Sequence, residues 1–219
     1  MAMSKAEAFC PRETGQVASR AAARQRRLGA AAAFLLLLSA PAFAGWQDDA
    51  APADVQRLAQ LAQSRVKGLN EAEAAAPGDR ASIQSLLQSG AVAATPRALT
   101  GKWRCRTMKL GGLTPAIVYS WFSCRITDHG GTLKFEKLTG SQRTSGTLYP
   151  DGDGYVYLGA SYVTGEKPHP YSGNHAGAGS DITPDDQIGR LTLLYDGRAR
   201  LELPYPTRES TFDVIELKR

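Results

Sequence analysis

Two cysteines, three arginines and a histidine-bearing loop hold most of the chemistry this sequence offers. Cys105 and Cys124 flank Gly111-Gly112, a turn signal, and so fall on the two arms of one hairpin. If the hairpin loop runs from Gly112 to Ile117, Cys105 faces Cys124, Trp103 faces Ile126 and Thr107 faces Phe122. Opposed strand residues come near enough for a disulfide, and a bridge closing about 20 residues is worth ~3 kcal/mol. Neither cysteine belongs to a C-x-x-C motif, so a structural bridge is expected rather than a redox centre.

The same register sets Arg104 against Arg125, with Arg106 beside them on the opposite face. Opposed like charges destabilise a sheet, so an acidic group must compensate. Glu136 or Glu216 is the expected internal partner. An external anion is the alternative, because guanidinium forks grip carboxylates and phosphates. Arg104, Arg106 and Arg125 are therefore candidate anion contacts. Of the tyrosines Tyr149, Tyr155, Tyr157 and Tyr195, a barrel mouth would use Tyr155 and Tyr157 as ligand contacts.

Other arrangements are weaker. His169 and His175 lie near Glu166, Asp181, Asp185 and Asp186, but their spacing matches no metal site, and no metal is expected. Asp151-Gly-Asp-Gly154 opens like a calcium loop, yet its twelfth position is Tyr162, so a hairpin turn is expected. Ser141 and Ser210 lack the framing of a nucleophile elbow, and no catalytic residue is assigned. No cofactor motif occurs.

These residues need elements to position them. Residues 1–44 do not contribute one. Arg20, Arg24, Arg26 and Arg27 precede the apolar run Leu28 to Pro41, and Ala42-Phe43-Ala44 follows as a small-residue cleavage site. That order predicts a secretory signal peptide, and the run is too short to span ~30 Å of hydrocarbon. The segment holds six of the 26 basic and two of the 21 acidic residues, which leaves 20 against 19. A near-neutral remainder argues against a nucleic-acid partner. Cys10 goes with the leader, and an even pair of cysteines in an exported chain points to one disulfide. The expected location is periplasmic or secreted, with no stable membrane insertion after cleavage.

Residues 45–98 predict a helical segment and linker. Val55, Leu58, Leu61, Ala62, Val66 and Leu69 recur at helical spacing, with Pro52 in the first turn. Pro77-Gly78 breaks that helix, Asp79 can cap a second one carrying Ile83, Leu86 and Leu87, and Gly90 ends it. Residues 91–98 read as a linker. From 99 to 219, strands are predicted near 101–110, 116–127, 131–139, 142–149, 154–161, 189–196, 199–204 and 211–218. Eight strands with short links predict a mainly β fold, an eight-stranded antiparallel up-and-down barrel, with a β-sandwich as the alternative. Residues 164–188 are the one long loop.

Three segments resemble a known family: Gly101-Lys-Trp-Arg-Cys-Arg106, Thr139-Gly-Ser-Gln-Arg143 with Gly146-Thr-Leu-Tyr149, and Arg208 to Leu217. Together they resemble the exported bacterial proteins grouped as domain of unknown function 4893, over about residues 46–219. The resemblance implies export and a shared fold, and no activity. More loosely, Gly101-x-Trp103 is similar to the opening of lipocalin and metalloprotease-inhibitor barrels. That likeness implies a basic residue, Lys218 or Arg219, packed on Trp103.

The residues favour a non-catalytic exported barrel, binding or inhibitor-like, whose partner is a small ligand or an envelope protein. A hydrolase-like enzyme using the 164–188 loop is the second reading, and an envelope assembly factor acting through the N-terminal helices the third. N-terminal sequencing of the exported protein should begin at Gly45; a start upstream of Leu28 would refute the signal peptide.

Overall fold

The computed structural model describes residues 45–173 and 185–219. The expected leader with Cys10, and His175 and Asp181 of the long loop, lie outside them. The helices are α1 Trp46–Asp49, α2 Pro52–Ala59, α3 Leu61–Glu71, α4 Pro77–Leu87 and α5 Pro96–Leu99. The strands are β1 Ala91–Val92, β2 Gly101–Leu110, β3 Ala116–Val118, β4 Phe122–His129, β5 Thr132–Lys137, β6 Gln142–Asp151, β7 Gly154–Val163, β8 Asp186–Leu194, β9 Ala199–Pro204 and β10 Phe212–Lys218. From β4 to β10 each strand pairs antiparallel with the next, and β2 joins β4 to β10. This closes the eight-stranded up-and-down barrel. The 91–98 linker is not plain coil: β1 adds to β8, and α5 follows it.

The first hairpin departs from its expected register. Paired residue numbers sum to 226 near the tip, as in Leu110 with Ala116, and to 227 beyond it, as in Cys105 with Phe122. The expected sum was 229. Trp103 therefore faces Cys124, Arg104 faces Ser123, and Lys102 rather than Arg104 faces Arg125. The hairpin turns earlier than expected, and the odd shift of three would point the returning strand's side chains the wrong way. Residues 119–121 correct this. They oppose only Arg106 and Thr107, a bulge of one residue that leaves an even offset of two. Trp103, Cys105, Cys124 and Ile126 therefore still point inward. The disulfide joins Cys105 to Cys124 as diagonal neighbours, with Cα atoms 5.8 Å apart.

Apolar side chains fill one end of the interior. Trp103, Ile126, Phe135, Leu148, Tyr157, Leu191, Leu201 and Leu217 form one buried cluster. The Trp103 indole donates to the Leu99 carbonyl at 2.7 Å, so α5 lies across this end. The Arg219 guanidinium sits 4.4 Å from the centre of the Trp103 ring and donates to the carbonyls of Ala98 and Thr100. Of the two basic residues expected on that ring, Arg219 fills the role.

The helices clad the outside. α4 places Ile83 and Leu86 on Met108, Leu110, Phe212 and Val214, and Ala50, Val55 and Leu58 cover Val156, Leu158 and Ile188. The long first helix is divided at Gln60, and Ala76 rather than Asp79 occupies the N-cap position of α4, with no side-chain cap, while Pro77 and Asp79 lie in its first turn. The face of α2 and α3 that is fully buried is polar or small: Asp54, Arg57, Ser64 and Gly68. Of the expected apolar stripe, Val55, Leu58, Leu61 and Leu69 pack on the wall, whereas Ala62 and Val66 are exposed, so the apolar stripe shares the docking face with these polar and small residues. The reason lies in what the helices meet. The β9–β10 loop has backbone groups outside the ladder that need partners. Arg57 donates to the carbonyls of Tyr205 and Asp186, and Ser64 Oγ donates to the Thr211 carbonyl while accepting from the Tyr205 N–H. Among the described residues, no helix is long and apolar enough to cross a membrane.

Gly68 permits this docking, because a Cβ there would lie 2.7 Å from that of Phe212. Gly68→Val should lower unfolding free energy by about 1–3 kcal/mol, read from urea denaturation. An unchanged midpoint would show that the helix stands further from the wall.

Candidate functional site

Along the barrel interior, the inward positions change from apolar to polar towards the end opposite Trp103. Thr107 and Lys109 on β2, Lys137 on β5, Gln142 and Thr144 on β6, Ser161 on β7, Gln187 on β8 and Asp213 on β10 line a chamber of about 260 Å³. Antiparallel order explains the convergence. The chamber takes the last residues of β2, β5 and β7 and the first residues of β6, β8 and β10, which all lie at one mouth.

Thr144 lies where the chamber meets the core. Its hydroxyl bonds the Tyr157 hydroxyl, the Ala160 carbonyl at 3.1 Å and Gln187 Oε1 at 2.6 Å. The Tyr157 phenol reaches it across the Gly146–Gly159 pair, where a Cβ on Gly159 would stand 2.1 Å from that phenol oxygen. Phe135 packs edge-on against the same ring, and burial pushes the Tyr157 phenol up, which keeps it protonated.

Asp213 and Lys137 also depart from their ordinary behaviour. Asp213 is buried and accepts from Ser210 Oγ at 2.6 Å; burial pushes its carboxyl up to about 6, against the pull of Ser210 and Lys109. Lys137 donates to the carbonyls of Thr139 and Gln142 and lies 4.4 Å from the Phe122 ring centre. Burial, then the charges of Arg143 and Lys109, bring its amine down to about 8. Lys109 pairs with Glu209 and donates to Gln142 Oε1 at 3.0 Å.

The β9–β10 loop forms part of the rim. Tyr205 and Glu209 have φ of 42° and 70°, left-handed values for non-glycine residues. Such conformations persist only where neighbours hold them. The hold here is Arg57 and Ser64 on Tyr205, and the Leu113 N–H donating to the Glu209 carbonyl at 2.9 Å. Arg208 reaches Asp185 at 3.3 Å, linking the loop to the start of β8.

The sequence candidates lie elsewhere. Tyr155 and Tyr157 are 4% and 0% exposed and belong to the apolar cluster; only the Tyr157 hydroxyl approaches the chamber. Arg104, Arg106 and Arg125 are on the outer wall. Arg106 pairs with Glu216 at 2.7 Å and Arg125 with Glu136 at 2.9 Å, the two acids expected, whereas Arg104 has no ion pair among the described residues. Tyr149 donates to Asp49, and Tyr195 is exposed. Asp151 pairs with Gly154 across a tight turn. His129 and His169 are exposed, and among the described residues neither is hydrogen-bonded to Ser141 or Ser210. No group of three metal-ligating side chains is found among the described residues.

Asp213, Lys137, Thr144 and Gln187 escaped the sequence reading. A signal existed for two of them. Lys137 follows Leu133 and Phe135 at the same parity, and Asp213 precedes Ile215 and Leu217, so each is a polar residue at an inward position near a strand end.

What the chamber can do is hold a small polar molecule between a carboxyl, two amines, two amides and hydroxyls. Residues 46–217 match the model of a family described as domain of unknown function, DUF4893. No curated protein matches the chain.

Asp213 also makes stability depend on pH. With its carboxyl raised, the folded state holds a proton that the unfolded chain has released, so stability falls as pH rises from about 4 to about 6 and levels above. Denaturant unfolding across that window should show a loss of up to about 3 kcal/mol that Asp213→Asn removes. A wild type and variant with parallel pH profiles would mean that Asp213 ionises in the ordinary carboxylate range.

Proposed function

The chain belongs to the DUF4893 family over residues 46–217, and on that premise we propose that it is an exported barrel that binds one small polar ligand in the mouth chamber. The chamber itself carries this reading. Eight-stranded barrels have interiors just wide enough to be filled by side chains or to hold one small ligand. Here the apolar cluster fills one end, and the other keeps about 260 Å³ surrounded by converging polar groups. Asp213 is placed to accept from a ligand donor, and Lys109 and Lys137 to favour a ligand oxygen. Export is supported by the basic, apolar and small-residue order of residues 20–44, and by a disulfide suited to an oxidising compartment.

Binding is favoured over catalysis by the partners of the two perturbed groups. Asp213 is engaged by Ser210, and Lys137 by two carbonyls. Ser210 and Asp213 are bonded to each other, but among the described residues no histidine is hydrogen-bonded to that pair to complete the arrangement that acyl transfer requires. A binding role is also favoured over assembly through the helices, whose buried side chains serve the barrel wall.

Native mass spectrometry of the protein purified from its own envelope fraction should show a retained small molecule in one-to-one ratio. Thr144→Val with Asp213→Asn should weaken its binding by about tenfold or more, as lost hydrogen bonds in a buried site do. A ligand-free wild type would overturn the reading if Ser161→Trp, which fills the chamber, also matches it in thermal shift across a panel of polar metabolites.

A further inference from the structure

The outer wall of β10, β2 and β4 carries a second arrangement, on the reverse of the strands that hold Trp103 and Cys105. Trp121, in the bulge between β3 and β4, is half-buried beneath three cations. Lys218 Nζ lies 4.1 Å, Arg106 Cζ 4.7 Å and Arg104 Cζ 5.5 Å from its ring centre. The register puts Arg104 directly opposite Lys218, and Lys102 directly opposite Arg125. Two like-charged pairs side by side destabilise a sheet.

Acidic residues relieve only part of this. Glu216 neutralises Arg106 and also reaches Arg198, and Glu136 serves Arg125 and Lys134. Among the described residues Lys102, Arg104 and Lys218 have no acidic partner. The Trp121 ring attracts the cations and orients them, but a ring quadrupole leaves their charge in place.

We propose that Arg104 and Lys218, seated on Trp121, bind the oxyanion of an external ligand of the phosphate-ester class. A guanidinium offers two parallel N–H donors and an ammonium a compact charge. A planar carboxylate is satisfied by the guanidinium fork alone. A phosphate has oxygens left over for the ammonium, and Lys102 stands on the same face of β2 to add its field. This site is independent of the mouth chamber, and failure of either leaves the other standing.

The test compares wild type with the Arg104→Gln/Lys218→Gln variant, titrated with inorganic phosphate against chloride at equal ionic strength. Without phosphate the variant should melt at or above the wild type, because repulsion has been removed, which also shows that it folds. At phosphate ten times its dissociation constant the wild-type Tm should rise by about 3–5 °C, and the variant's should not. Tryptophan emission should change saturably in the wild type alone. Equal Tm shifts without a saturable emission change would overturn the site. Vesicles of phosphatidylcholine with and without phosphatidylglycerol identify the source. Phosphate binding with sedimentation on the anionic vesicles assigns the ester to a lipid headgroup; phosphate binding without it assigns a soluble ester.

Discussion

Closing eight strands into a ring sends alternate side chains into an interior whose width the strand number sets. Nearly everything else in this protein answers to that limit. Phe135, Tyr157 and Trp103 take up much of the volume, and the Gly146–Gly159 pair exists where a phenol must cross the wall's inner surface. The remaining volume lies at the mouth, where strand ends are close to water and polar inward residues cost less to bury. The chamber is thus a consequence of packing as much as of its own residues. The core ends at Thr144 and Tyr157, and polar groups begin there.

The same closure leaves the outer wall to be covered. Its exterior reads apolar in two patches, and the N-terminal helices lie on both. They also do something a simple apolar cover would not. Arg57, paired with Asp54, and Ser64 bond the backbone of Tyr205, Asp186 and Thr211, which form one side of the mouth. The left-handed turns at Tyr205 and Glu209 are held from outside the barrel as well as within it. Geometry at the chamber rim therefore depends on helices far away in sequence.

Two electrostatic regimes coexist within a few residues of each other on β2. Inward, Lys109 meets Glu209 in a partly enclosed site, where a low local dielectric magnifies each charge and shifts Asp213 and Lys137 from their usual ranges. Outward, Arg104 faces Lys218 in water, where screening makes the repulsion tolerable. The alternation of the strand separates a chamber built on shifted protonation from a surface built on fixed positive charge.

Much of this was legible in the residues. Alternation and turn residues predict eight strands, and the hairpin turns at Gly111, Gly130, Gly152 and Gly197 lie where the glycines allow positive φ. The cysteine pair, and Glu136 and Glu216 as partners for two of the arginines, follow from strand parity and charge. Parity is a property of single strands, with period two, so sequence determines which face a residue takes. Offset is not. The place of Arg104 opposite Lys218, and the diagonal disulfide, depend on an earlier turn and a one-residue bulge at 119–121, which adjacent strands settle between them. The apolar part of the helix face, Val55, Leu58, Leu61 and Leu69, follows from helical spacing, but its fully buried polar part was decided by tertiary contact, because Arg57 and Ser64 satisfy backbone groups of a loop more than a hundred residues away. Most of all, the chamber exists only in the closed ring: its polar residues come from strands spread from Thr107 to Asp213, and only closure brings them to one mouth.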